Sequence, residues 1–349
     1  MSPLPTPLQE SRALLGERVH RWLTSAQQLE AAGQLESAIA AYGEILEHLD
    51  RVRPEHPGYS RGLVAMNRAN ALFKLNRADS VSEAVAGYEA AVRHLAAESR
   101  PTAIATRAAA WMNRGVALLH PLVRQPAVAA ESFRTAAQDY QRLPLDWPPH
   151  RGYAAQCRVN EAAAWLQLGG PDASDHARTA AEAALKLIEP LAQADAPAAA
   201  VTCAATELLC AALRPVVSES GGDSTRTRIS DALDHALALI RQWEQRAPRT
   251  LLAPGRRLFR LAAQFYAEVM PAFFVEVMRE NLDPDRAPPT WAADTTVRAA
   301  AADAAARLWH EVQNERIRVS DTPTPDLDHL SAELESLRPW LQAAGTVAA

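Results

Sequence analysis

Apolar residues along this chain recur at the three- and four-residue spacing of one helix face, from about residue 7 to residue 343. No segment sustains the alternation of apolar and polar residues that indicates a strand. Clusters of Pro, Gly and Asp, such as "RVRPEHPG", "LPLDWPPHRG" and "LGGPDAS", interrupt the helical pattern every 15 to 25 residues or so. The pattern predicts about fourteen helices and no strands. Short polar connections between helices of similar length predict antiparallel neighbours that pack in pairs.

One short segment returns along the chain. It reads "MNRANAL" from Met66, "MNRGVAL" from Met112 and, with more changes, "VNEAAAW" from Val159. Each copy carries an asparagine followed two residues later by a small residue. A recurrence of this kind predicts a repeat architecture in which each unit buries its apolar face against its neighbours.

The first helix pair shows the repeat best, in "WLTSAQQLEAAGQLESAIAAYGEIL". A large residue is followed by a small one, an apolar one, a turn glycine, and then alanine, an aromatic and an aliphatic residue on the second helix. These positions are Trp22, Ala26, Leu29, Gly33, Ala38, Tyr42 and Ile45. The segment resembles the tetratricopeptide repeat (TPR) family, in which small residues let two helices approach and large residues fill the space beside them.

Later repeats align on the small residue, which is Ala69, then Gly115, then Ala162. Their spacing exceeds the usual period of about 34 residues, and it resembles the long-period TPR type of kinesin light chain. The second helices follow with Ala84, Tyr88 and Ala91, with Ala129, Phe133 and Ala136, and with Ala177, Ala181 and Ala184.

The predicted fold class is therefore all-α, a right-handed superhelical solenoid of antiparallel helix pairs. Residues 1–195 are predicted to form four TPR-like helix pairs. Residues 196–349 keep helical pairing without clear signature residues, and we interpret them as diverged repeats with a C-terminal capping helix, continuous with the first part. The alternative is a separate C-terminal helical bundle.

Composition narrows the function classes. Apolar residues make up 48% of the 349 residues and aromatics only 6%. Much of the apolar content is alanine, and Val, Ile and Thr are sparse, which favours helix over strand. The net charge is −5, so neither a nucleic-acid-binding nor a membrane-surface balance is indicated. The N-terminus has no secretory pattern and no long uncharged apolar run is present, so we expect a cytoplasmic protein. The three cysteines, which lack CxxC spacing, are expected to be small core residues: Cys157, Cys203 and Cys210.

No catalytic or metal-binding set can be assembled from spacing alone. "HEVQNE" at His310 lacks the second histidine of a zinc-protease helix, and Asp283 and Asp285 flank a helix-ending proline. No cofactor, no metal and no enzymatic activity are therefore predicted.

The TPR resemblance implies where a partner would lie. In that family the first helix of each repeat lines the concave groove, and an asparagine beside the signature position commonly points into it. Carboxamides can pair with the N–H and C=O groups of an extended peptide whatever its sequence. The alternative is that each asparagine bonds within the repeat. The predicted groove residues are Asn67, Asn70, Asn113, Asn160, Met66, Met112, Phe73, Lys74, Leu119 and His120. Val116 is a further groove neighbour, at the position of its repeat that is equivalent to Asn70.

The basic residues near the asparagines bear on whether the partner presents a terminal carboxylate. The family's clamp for a terminal carboxylate sets Lys or Arg beside the asparagines, and only Lys74 is available here, which argues against chaperone binding. A second basic group could contact an acidic partner rather than a nucleic acid, because the chain as a whole is acidic. These residues are Arg241, Arg256, Arg257 and Arg260.

Two function hypotheses remain, with an enzyme as a weaker third. The first is a non-enzymatic scaffold that binds an extended or helical peptide of a partner protein in its groove. The second is a sensor whose array closes around a signalling peptide or a small molecule. Bacterial relatives of this repeat type often carry a DNA-binding unit ahead of the repeats, and the roughly 15 residues before the first repeat are expected to be too few for one.

Overall fold

A computed structural model of the chain describes residues 7–52, 58–144, 150–220, 223–244, 246–282, 294–318 and 325–342. Within these residues it contains fourteen α-helices and no strand, which confirms the predicted fold class. The chain forms two compact units, Met1–Ala180 and Ala181–Ala349, which are described separately.

The first unit is a succession of helices, and each of the first seven packs on its neighbour in sequence. Its helices are α1 Pro7–Ala31, α2 Leu35–Val52, α3 Gly58–Leu75, α4 Ala78–Leu95, α5 Pro101–Leu119, α6 Pro126–Gln141, α7 His150–Leu168 and the first half of α8 Pro171–Ala192. Several helices begin at a proline, whose fixed φ suits the first turn and whose missing N–H is not needed there. Pro101, Pro126 and Pro171 therefore mark helix starts.

The turn within each of the four helix pairs from α1 to α8 contains a residue with positive φ. Gly33 has φ +76° between α1 and α2, as the signature predicts, and Gly169 and Gly170 occupy the turn between α7 and α8. Asn76 and Arg124 take this conformation in the two middle pairs, with φ of 56° and 53°. Glycine has no Cβ that clashes when φ is positive, and asparagine tolerates a positive φ. Arginine adopts a positive φ only at a cost in conformational energy.

The small signature residues lie where two helices approach. Ala26, Ala69 and Ala162 are fully buried. A Cβ on Gly115 would lie 2.7 Å from two ring atoms of Phe133, so α5 and α6 are closer here than alanine allows. The signature positions therefore pack as the resemblance implies.

An arginine with the same kind of contact recurs in two successive repeats, and sequence reasoning missed it. Arg61 donates to the Leu49 carbonyl at the end of α2 at 2.9 Å, and Arg107 donates to the Leu95 carbonyl at the end of α4 at 3.2 Å. Both lie eight residues before the small signature residue, at Ala69 and Gly115. A guanidinium here satisfies carbonyls that a helix end leaves without partners.

The second unit contains the end of α8 and three further helix pairs. They are α9 Ala196–Ser220, α10 Asp223–Glu244, α11 Pro248–Val269, α12 Pro271–Leu282, α13 Thr295–Arg318 and α14 Pro325–Gln342. α9 packs on α10 and α11, α11 packs on α12 and α13, and α13 packs on α14. The division into repeats at residues 1–195 and diverged repeats at 196–349 stays a prediction.

The tryptophans are less buried than their signature positions suggest. Trp22 is 39% exposed, and Trp111 and Trp165 on α5 and α7 are half-buried. Trp22 contacts the edge of His48 at 4.9 Å and the guanidinium of Arg18 at 6.0 Å, which leaves much of the indole open to solvent. The three cysteines are buried as predicted, and burial raises the pKa of each thiol to about 12.

Candidate functional site

Asparagines of α3 and α5 meet in one hydrogen-bonded cluster. Asn113 donates through Nδ2 to Oδ1 of Asn70 at 3.0 Å, and the Tyr88 hydroxyl donates to the same oxygen at 2.8 Å. Burial raises the pKa of the Tyr88 phenol above its usual value, so it remains a donor. The cluster joins α3, α4 and α5, because the Tyr88–Asn70 bond lies within one helix pair and the Asn113–Asn70 bond runs between two pairs.

The other two asparagines differ from this pair. Asn67 is 9% exposed, and its Nδ2 has no hydrogen-bond partner among the described residues. Asn160 is half-buried and accepts a hydrogen bond from Gln156 Nε2 at 3.1 Å, one turn earlier on α7. The three equivalent asparagines therefore have three different environments.

Apolar side chains flank the asparagine cluster. Met66 and Phe73 lie half-buried against a core that contains Ala69 and Tyr88. Met112 and Leu119 lie half-buried against the core around Leu118 and Phe133. Val116, one helical turn after Asn113, is 40% exposed. Methionine is flexible and polarisable, so a surface that contains Met66 and Met112 can adapt to different apolar side chains.

Phe73 and His120 connect the two helices at the far end of the same face. Their ring centroids are 5.7 Å apart in an edge-to-face arrangement. Nδ1 of His120 also accepts a hydrogen bond from the Leu122 backbone N–H at 3.3 Å, which fixes the ring just after α5 ends. Two contacts, Asn70–Asn113 and Phe73–His120, thus join predicted residues of α3 and α5. We use the name α3–α5 face for these residues and their neighbours on the two helices: Met66, Asn70, Phe73, Met112, Asn113, Val116, Leu119 and His120.

Lys74 is engaged within the chain. Its ammonium lies 2.6 Å from Oε1 of Glu30 on α1, and the other oxygen of Glu30 accepts a hydrogen bond from the Tyr42 hydroxyl at 2.9 Å. Burial, with the Glu30 carboxylate beside it, raises the pKa of Tyr42. Glu30 compensates the charge that a carboxylate clamp would need, and the sequence analysis overlooked this residue because its partner lies 44 residues away.

The arginines that were predicted to contact an acidic partner lie in the second unit and have acidic neighbours of their own. Arg241 pairs with Glu280 at 2.8 Å, Arg256 with Asp294 at 2.9 Å and Arg257 with Glu207 at 3.1 Å. Arg260 is half-buried. An acidic partner would have to compete with these ion pairs.

Two further features bear on metals and membranes. Among the residues that the structure describes, no three His, Cys, Asp or Glu side chains are grouped to hold a metal ion, and Asp283 and Asp285 lie outside the described residues. In the described part of the chain, one helical segment, Ala196–Arg214, is long and apolar enough to cross a bilayer. Most of it is buried within the structure, which is also typical of a core helix in a soluble protein.

Paired helices with buried small residues where they approach define an all-helical repeat fold, which is the fold that the TPR resemblance implied. No protein-family model matches the chain, and no curated protein matches it in sequence. Two solved structures of a Podosopora anserina putative kinesin light chain with nearly identical TPR-like repeats are similar in fold, one of them carrying a single substitution. Both are 17% identical to this chain, with TM-scores of 0.46 and 0.45. They cover 65% and 66% of this chain and 97% of their own.

Proposed function

We propose that this chain is a non-enzymatic interaction scaffold that holds an extended or helical peptide of a partner protein against the α3–α5 face, with Asn160 of α7 extending the surface. The observation that carries the proposal is the continuity of that face. The Asn70–Asn113 hydrogen bond and the Phe73–His120 contact join residues of two repeats that lie more than 40 positions apart in sequence.

The chemistry of the face suits a peptide with apolar side chains. Half-buried methionine, phenylalanine and leucine side chains offer shallow apolar sites, and the exposed Val116 lies between them. Helix-in-groove recognition uses apolar anchors at this kind of spacing, while backbone groups of an extended peptide bond to side-chain amides. A terminal carboxylate is a poorer fit, because Lys74 already pairs with Glu30.

A matched pair of valines tests the proposal. Val116 on α5 is 40% exposed and Val128 on α6 is 41% exposed, and only Val116 lies on the α3–α5 face. Peptides selected from a random library of displayed sequences, each about 16 residues long, should bind the unaltered chain and Val128→Glu with equal affinity. Val116→Glu should weaken them at least about tenfold, because it places a charge in the apolar surface.

Circular dichroism should show equal helix content and equal thermal midpoints for both variants. Selected peptides that bind Val116→Glu as tightly as the unaltered chain would place the binding surface elsewhere. Failure to select any peptide would contradict peptide binding itself.

A further inference from the structure

A cleft in the second unit has no part in the proposed peptide surface. It has a volume of about 440 Å³ and lies among the second half of α8, α9 and α10. That volume falls within the range of about 300–1,000 Å³ that small-molecule sites occupy. α9 supplies the floor with Thr202, Thr206 and Leu209, and the other two helices form the walls.

The floor contains a buried hydroxyl without a partner. Thr206 is 1% exposed, and its Oγ1 has no hydrogen-bond partner among the described residues. Thr202, one turn earlier and equally buried, donates its hydroxyl to the Ala198 carbonyl at 3.1 Å, which is the usual way that a helical threonine is satisfied. Thr206 does not make that bond, and a buried hydroxyl left unpaired is costly unless a ligand or water bonds to it.

The walls carry charges of both signs. Arg228 of α10 lines the cleft and forms an ion pair with Glu182 of α8. Further along, Lys186 and Glu189 on α8 face the cleft together with Asp231 and His235 on α10. None of these four side chains forms an ion pair or a hydrogen bond among the described residues. The cleft therefore offers an ammonium group and two carboxylates that remain available.

Apolar groups complete the lining. Leu185 on α8 and Ala232 on α10 are half-buried, and Leu209 on the floor is 4% exposed. A ligand that satisfies all of these groups needs a cationic group for Asp231 or Glu189, an anionic group for Lys186, a hydrogen-bonding group for Thr206 and an apolar body.

We propose that this cleft is a binding site for a small zwitterion with an apolar side chain, namely a free apolar amino acid or a short apolar peptide. Its ammonium group lies beside Asp231 and Glu189, its carboxylate lies beside Lys186, and a polar atom bonds to the Thr206 hydroxyl. The site is independent of the α3–α5 face, so either one can exist without the other.

The proposal is tested with L-leucine and L-leucyl-L-leucine as probes, by isothermal titration calorimetry on the full chain. At least one of them should bind saturably in the millimolar range or below. N-acetyl-L-leucine lacks the cation and L-leucinamide lacks the anion, so both should bind at least about tenfold more weakly than L-leucine.

Two threonine variants provide the matched control. Thr206→Val removes the unpaired hydroxyl at almost constant volume and should weaken binding about threefold to tenfold. Thr202→Val removes a hydroxyl that already bonds to Ala198, so it should leave binding within about twofold. Asp231→Asn, at an exposed position where folding is not at risk, should also weaken binding several-fold.

Three outcomes would overturn the proposal. One is that neither probe binds saturably, in which case the cleft holds water only. Another is that the acetylated and amidated analogues bind as well as L-leucine. The third is that Thr206→Val and Asp231→Asn bind the probe like the unaltered chain while circular dichroism shows all variants folded.

Discussion

At the scale of single residues, the repeat depends on how closely two helices can approach. Ala26, Ala69 and Ala162 provide that approach with a methyl group, but Gly115 has no room for one, because the Phe133 ring occupies the space. The same signature position therefore has different steric limits in different repeats. Gly43 is a useful contrast, since a methyl group added at this position inside α2 would meet no atom within 4 Å.

Gly115→Ala should destabilise the chain although alanine is the better helix former. The added Cβ would lie 2.7 Å from the buried Phe133 ring. Overpacking of this kind costs about 1–3 kcal/mol, and with three ring atoms within 2.9 Å we expect a cost in the upper part of that range, above the gain of about 1 kcal/mol in helix propensity. Gly43→Ala should instead stabilise by about 0.5–1 kcal/mol. Urea unfolding followed by circular dichroism measures both. The two substitutions are expected to change the free energy of unfolding in opposite directions. A stabilising Gly115→Ala would contradict the close approach of α5 and α6 at Phe133.

At the scale of helices, buried ion pairs connect one repeat with the next. Asp139 on α6 is 2% exposed and accepts two hydrogen bonds from Arg107 of α5, at 2.7 and 2.9 Å. Arg107 also reaches the end of α4 through the Leu95 and Ala96 carbonyls. One guanidinium thus links three consecutive helices, and its geometry matters more than its charge alone.

Asp139→Asn should destabilise the first unit by about 3 kcal/mol, because it leaves the Arg107 guanidinium, which is 13% exposed, without its carboxylate. The matched control is Glu47→Gln, which breaks the Arg51–Glu47 pair in which both side chains are at least 70% exposed. That change should stay within about 0.5 kcal/mol. Urea midpoints at constant pH distinguish the two, and an Asp139→Asn effect as small as that of the control would contradict a structural role for the buried pair.

At the scale of the whole chain, buried acids with raised pKa values make the protein sensitive to alkali. Burial raises the pKa of Cys157, Cys203 and Cys210 from 9.0 to about 12, and it also raises the pKa of several tyrosines, among them Tyr42 and Tyr88. A thiol that ionises only in the unfolded chain stabilises the unfolded state. The stability present below about pH 9 is therefore lost as pH rises towards 12.

The free energy of unfolding should be nearly constant up to about pH 9 and should then fall, by about 1.4 kcal/mol per pH unit for each of these thiols. Urea unfolding at a series of pH values measures the slope. The triple variant Cys157→Ala, Cys203→Ala, Cys210→Ala should be less stable at neutral pH but should lose stability more slowly in alkali. Parallel slopes for the two proteins would contradict the assignment to the thiols.

Much of this architecture was predictable because packing is local. Ala69, Tyr88, Gly115 and Phe133 occupy positions at fixed spacing, and spacing on a helix determines which side chains meet across a pair. The number of helices follows from the same periodicity. The exposure of Trp22 did not follow, because a signature position does not say what covers the ring beyond the pair.

The candidate site was only partly predictable. The sequence placed Asn67, Asn113 and Asn160 at equivalent positions, but it could not tell that Asn113 would bond to Asn70 while Asn67 has its Nδ2 unpaired. Such differences depend on which side chain reaches across from the next helix. The same limit hid Glu30 beside Lys74, and it hid the Arg61 and Arg107 contacts, whose acceptors are backbone carbonyls that carry no sequence signal.

The two lysines have a practical consequence for labelling experiments. Lys74 lies at the edge of the α3–α5 face and Lys186 lies on the wall of the α8–α10 cleft, and the chain has no other side-chain amine. An amine-reactive fluorophore therefore attaches its side-chain labels next to the two surfaces for which binding is proposed. Lys186→Arg confines the side-chain label to Lys74 beside the face, where dye emission can report peptide binding. Lys74→Arg confines it to Lys186, where acylation removes the ammonium and should itself weaken binding of the zwitterion in the cleft.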